Sequence, residues 1–187
     1  MKAGGYADMK KPASGLRKYV ERALAAGADE AKIVPAAKVK TAEWVRLKCQ
    51  FGCDGYGNGL CCPPRTPTPE QMRRVLADYR HALIYSYVCT PSDYRPKRRR
   101  MRRLVTELER AAFLDGHYKA FGLGDGPCRF CRGCNVAGDC RHPEQARPSM
   151  ESCGIDVYAT ARNSGIELEV ATRRDGPSKH INLILID

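Results

Sequence analysis

His81-Ala82-Leu83-Ile84-Tyr85-Ser86-Tyr87-Val88 is an apolar, aromatic-rich run that reads as a buried strand, with no polar period to give it a wet face. Helical signals flank it. Upstream, Thr68 is placed to cap a helix with Pro69 at its first position and Glu70 and Gln71 in its first turn, running to about Arg80. Downstream, Pro96 to Leu114 reads as a second long helix, closed near Gly116, and Tyr118 to Leu123 as a strand. Further out, Leu16 to Ala26 places Leu16, Tyr19, Val20, Ala23 and Leu24 on one helical face and ends at Gly27. Ile33-Val34 and the alternating Glu43-Trp44-Val45-Arg46-Leu47 are expected as strands. Ser149 is expected to cap a helix reaching Asn163, stopped by Gly165. Ile166 to Thr172 and His180 to Ile186 complete the strands, joined by a polar turn at Asp175-Gly176-Pro177. Trp44 and the tyrosines are assigned to the core. The alternation predicts an α/β fold: a mixed sheet with flanking helices and two cysteine-rich loops.

The chain of 187 residues suits a single domain over 1–187, with a loose lead-in over residues 1–14, a first cysteine loop at 49–64 and a second at 124–148. Its apolar fraction of 43% is enough to build a core. No stretch approaches the ~20 apolar residues of a membrane span, and the segment from Met1 to Tyr6 has no apolar run of signal-peptide type. The expected location is cytoplasmic, without membrane association. In a reducing compartment the ten cysteines read as metal ligands or redox groups rather than disulfides.

Spacing separates these cysteines into two groups. Cys128-Arg129-Phe130-Cys131-Arg132-Gly133-Cys134 is a C-x2-C-x2-C run, with Cys140 and then Pro143 following. Three thiolates at that step can wrap one compact cluster. The pattern is similar to the bacterial ferredoxin run, but with a longer last gap, which leaves Cys140 to serve its own cluster or another. Gly124, Gly126, Gly133 and Gly138 allow close backbone approach to sulfur. Structural zinc is the alternative, though zinc more often gathers two separated Cys-x2-Cys knuckles. The first loop carries Cys49, Cys53, Cys61 and Cys62, the last directly before Pro63-Pro64. Adjacent cysteines seldom both reach one small cluster, because their side chains diverge. The reading is therefore Cys49, Cys53 and Cys62, with Cys61, Cys89 or no cysteine as the fourth ligand. Three-cysteine ligation would leave one iron open as a Lewis acid. A purely structural metal or buried thiols is the alternative.

With these residues quoted, the chain resembles a bacterial and archaeal family of "predicted metal-binding proteins" of unknown function. Val45 to Cys53, Cys62-Pro63-Pro64, Gly126 onward, Arg141-His142-Pro143-Glu144 and Arg147 through Tyr158 carry the resemblance, over roughly residues 43 to 187. It implies a cysteine-bound metal centre of iron–sulfur type and supplies no reaction.

The net charge of +11, from 32 basic and 21 acidic residues, suits a basic shell around anionic clusters, an acidic redox partner protein or a small anionic substrate. Nucleic acid is the usual suspicion for such a charge. However, the sharpest basic run, Arg95 to Arg103, comes with no aromatic platform or nucleic-acid module. No nucleotide-binding motif is present. Arg141, His142, Glu144, Arg147, Ser149 and Glu151 either form an anion-binding or proton-delivering pocket or buttress the loop. Cys153 reads as a reactive thiol, a ligand or a packed core residue. The leading expectation is a protein with two [4Fe-4S] sites in electron transfer or cluster-dependent redox chemistry. The alternatives are an enzyme with an open iron or zinc site, acting on a small anion beside Arg147, and a zinc-stabilised nucleic-acid module.

Overall fold

The run from His81 forms strand β2 (His81–Cys89) in a computed structural model that describes residues 13–173 and 175–187. β2 pairs with β1 (Glu30–Pro35) on one side and β4 (Ser178–Leu185) on the other, and β4 pairs with β3 (Phe121–Leu123), giving the order β1-β2-β4-β3. Every pairing is antiparallel, with Leu83 opposite both Ile33 and Ile184. Both faces of β2 are covered, which explains its unbroken apolar sequence. Leu83, Tyr85, Tyr87 and Cys89 pack with α1 (Arg17–Ala25) and α4 (Tyr94–Leu114), through Tyr19, Ala23, Met101, Val105 and Leu108. Ala82 and Ile84 pack the other way, with Met72 and Leu76 of α3 (Pro69–Ala77), Ala161 of α5 (Val157–Asn163), and Met150 and Ile155. The α/β class therefore stands, with helices on both faces of an antiparallel sheet.

Local chemistry fixes several boundaries. Thr68 closes a capping box at α3: its Oγ1 accepts the Gln71 N–H at 3.1 Å and its own N–H donates to Gln71 Oε1 at 2.8 Å. At β3, a Cβ on Gly122 would sit 2.5 Å from Val105 Cγ1, so the strand can lie against α4 only with glycine there.

Several elements differ from the sequence expectation. Glu43 to Gly52 is a helix, α2, not a strand. Alternation over five residues does not separate the two periods, and Val45 and Cys49 are four apart, the spacing of one helical face. Ser149 caps only a short 3-10 turn, Glu151–Cys153, by accepting the Ser152 N–H. Gly154 then turns left-handed at φ +75°, and α5 starts afresh with Asp156 accepting from the Ala159 N–H. Residues 166–172 form no strand, and the expected strand from Tyr118 shortens to Phe121–Leu123. Trp44 is 47% exposed, and Tyr94, Tyr118 and Tyr158 are exposed too, whereas Tyr19, Tyr85 and Tyr87 are buried as expected. The lead-in expected over 1–14 lies outside the described residues as far as residue 12. Among the described residues, no helix is long and apolar enough to cross a membrane.

Candidate metal centre

The first cysteines come from the end of α2. Cys49 lies on the helix and its thiol approaches the Glu151 carbonyl at 3.8 Å. Cys53 is the residue after the last turn, and its sulfur accepts the Gly55 N–H at 3.4 Å. Cys62 is buried. A Cβ on Gly55 would stand 3.0 Å from Cys62 Sγ and 3.5 Å from Cys53 Sγ, so both sulfurs flank one point kept open by a glycine. A Cβ on Gly59 would crowd Cys62 Sγ at 3.2 Å.

The second loop leaves β3 at Leu123, at the sheet end where β2 stops and β4 begins. Ion pairs clamp it at both ends. At its start Asp125 is buried, and its carboxylate accepts from Arg98 Nε at 2.9 Å, Arg98 Nη2 at 2.5 Å and Tyr87 Oη at 2.8 Å, with His180 Nδ1 at 3.2 Å. Burial pushes this carboxyl up, but the His180 hydrogen bond and the Arg98 charge outweigh it and hold it below the usual carboxylate range. At the other end Arg147 forks onto Glu109, Nε to Oε2 at 2.7 Å and Nη2 to Oε1 at 2.5 Å, and also donates to the Pro143 and Ala146 carbonyls. Glu109 Oε2 accepts the Gly122 N–H as well. Arg147 is thus a buttress, with its donors committed, rather than a receptor for an anion.

Between these clamps the second-loop cysteines turn toward the first loop. The Leu60 N–H donates to Cys134 Sγ at 3.3 Å across the two loops, and the His142 N–H donates to Cys140 Sγ at 3.4 Å. Cys61 and Cys128 interact directly, and that interaction, with burial, holds the proton on Cys61 while it lowers Cys128 below the usual thiol range. Cys61, Cys62, Cys128, Cys131, Cys134 and Cys140 all line one cavity of about 230 Å³. A second cavity of about 910 Å³ is lined by Cys49, Cys53 and Cys62 at one end. Gly55, Cys62 and Pro127 belong to both walls. The neighbouring cysteines 61 and 62 both line the smaller cavity, and only Cys62 also reaches the larger.

The donor set is soft, with backbone N–H groups on three of its sulfurs. Among the described residues no three His, Cys, Asp or Glu side chains stand close enough to hold a single metal ion. A tetrahedral zinc at 2.3 Å from each thiolate draws its sulfurs to about 3.8 Å of one another. A polynuclear group spans a wider ring of thiolates.

Two other cysteines lie apart from both cavities. Cys89 ends β2 wholly buried in the α1–α4 core, and burial pushes its thiol up to about 11. Cys153 packs in the opposite core, with burial likewise raising it to about 11, so the turn it occupies does not activate it. The basic run of α4 divides: Arg98 turns inward to Asp125, Arg102 is half-buried beside Cys128, and Arg95, Arg99, Arg100 and Arg103 are exposed. Two roles had no signal beyond residue type in the sequence, Asp125 as the anchor of the second loop and Glu109 as the partner of Arg147; Glu151, expected beside the second loop, lies in the wall of the larger cavity. Burial holds the Glu151 carboxyl above the usual range.

The family model described as "Predicted metal-binding protein (DUF2284)" matches residues 32–186. No curated protein and no solved structure matches this chain.

Proposed function

We propose that this chain, which belongs to the predicted metal-binding protein family that matches residues 32–186, is an iron–sulfur protein with two [4Fe-4S] sites serving electron transfer and cluster-dependent redox chemistry. The observation that carries the reading is the pair of adjoining cysteine-lined cavities, one lined by Cys49, Cys53 and Cys62 and the other by Cys128, Cys131, Cys134 and Cys140, with Cys62 on the wall between them. Cys128, Cys131, Cys134 and Cys140 are the proposed ligands of one cluster, with Cys61 beside Cys128 at its edge. Since Cys140 lines the same cavity as the other three, it is assigned to that cluster. Cys49, Cys53 and Cys62 are the proposed ligands of the other, which keeps one position without a protein thiolate, facing the larger cavity.

The N–H···S bonds and the glycines at 55 and 59 support a cluster, since both accommodate a bulky anionic group against the backbone. A bound cluster supplies one-electron transfer at a potential set by such contacts. Cys134 is exposed, which suits electron entry through the second loop. Exposed Arg129, Arg132 and Arg141 lie on that loop and suit an acidic redox partner.

Paired serine variants test the assignment. Cys62→Ser should lower iron by about four atoms per chain and Cys134→Ser by about the other four. Loss of all metal in either variant, or of none in both, would contradict two separate sites.

A further inference from the structure

The larger cavity holds a feature that metal binding leaves unused. Its volume of about 910 Å³ is that of a small-molecule site. Val45, Ile155, Val157, Leu168 and Ile181 make much of the wall apolar, and Trp44 and Tyr158 add exposed aromatic rings. Into this wall Glu151 contributes a carboxylate whose Oε2 is buried and has no hydrogen-bond partner. A buried polar atom without a partner is costly, and a bound molecule can supply the missing donor. Most basic groups of the wall are already engaged, and Lys48 stands at an exposed position of α2. Lys179 pairs with Glu30 at 2.5 Å, and His180 bonds Ser178 and Asp125. Arg147, the cation expected to receive an anion, is held by Glu109.

Building on the three-cysteine assignment of Cys49, Cys53 and Cys62, we infer that this cavity is a substrate pocket for a small, mainly apolar organic molecule bearing an N–H or O–H donor. Glu151 Oε2 receives that donor, and the far end of the molecule lies toward Trp44 and Tyr158. The chemistry selects against the small anion that the sequence suggested, because a buried carboxylate repels one.

Trp44 is the only tryptophan of the chain and lines the cavity, so its emission reports occupancy whether or not a metal is bound. Anaerobically purified full-length protein is titrated with 2-phenylethylamine, and with 3-phenylpropionate as the matched anion. The expected result is saturable quenching by the amine, at least tenfold tighter than by the anion. Glu151→Gln should remove most of that preference. Tyr158→Ala, a change at a partly exposed wall, should weaken both probes about equally. No saturable response to either probe, or tighter binding of the anion, would overturn the pocket assignment. Metal analysis of the same sample distinguishes the two failures: a protein without iron that still binds the amine retains the pocket and loses the cluster.

Discussion

Removing the carboxylate of Asp125 should loosen the fold and the second cysteine loop together. Asp125 sits three residues before Cys128 and accepts bonds from Arg98, Tyr87 and His180 within a nearly closed site. Arg98 keeps only 15% of its side chain exposed and Asp125 only 5%. In Asp125→Ala the guanidinium is left buried without its charge partner, a cost of about 3–5 kcal/mol. The buried Tyr87 hydroxyl loses its acceptor as well, worth about 1–3 kcal/mol on its own. These terms overlap, so about 4–6 kcal/mol is expected, which is a large part of the ~5–15 kcal/mol that stabilises a typical domain. Urea denaturation followed by circular dichroism measures the loss, and iron content measures retention by the loop. The double variant Arg98→Met with Asp125→Leu, which removes both charges, should recover at least half of the stability. A loss under about 1 kcal/mol in Asp125→Ala, or no recovery in the double variant, would refute the clamp.

Arg102 stands beside Cys128 with no ion pair or hydrogen bond among the described residues. Taking the charge as ~8 Å from the proposed cluster at an effective dielectric of ~20, its removal in Arg102→Ala should lower the reduction potential of a cluster held there by roughly 90 mV, about 2 kcal/mol. Redox titration followed by EPR reads it, and Arg102→Lys should restore most of the shift. Gly122→Val should fold poorly, because even its first carbon would stand 2.5 Å from Val105 Cγ1 and 3.0 Å from Glu109 Oε2; a melting temperature unchanged from the parent would refute the close approach. Acid should destabilise the chain: the carboxyls of Asp125, Glu30 and Asp187 lie below their usual values, so their stabilisation is complete above about pH 5 and is lost as pH falls through the lowered native values. Urea midpoints should drop between about pH 4 and pH 2, and a flat profile there would count against these pairings.

The sequence conveyed the sheet centre and the long helices because their signals are local. β2 is apolar throughout since both its faces are covered, and Thr68, Pro69 and Gln71 announce the start of α3. Errors fell where local signals were ambiguous or were broken by tertiary packing. Glu43 to Leu47 alternates like a strand, yet Val45 and Cys49 are four apart, and that helical spacing is the better guide. The helix expected from Ser149 is interrupted by Gly154, whose left-handed turn sets the backbone against Pro69. For the site, the two cysteine groups were legible from spacing alone. The roles of Asp125 and Glu109 were not, because each depends on a partner distant in sequence.

The most direct test of the central claim is iron and acid-labile sulfide analysis, with an absorption spectrum, on protein purified without oxygen. Two cubanes predict a brown protein with about eight irons and eight sulfides per chain. A colourless protein holding zinc and no sulfide would contradict the account.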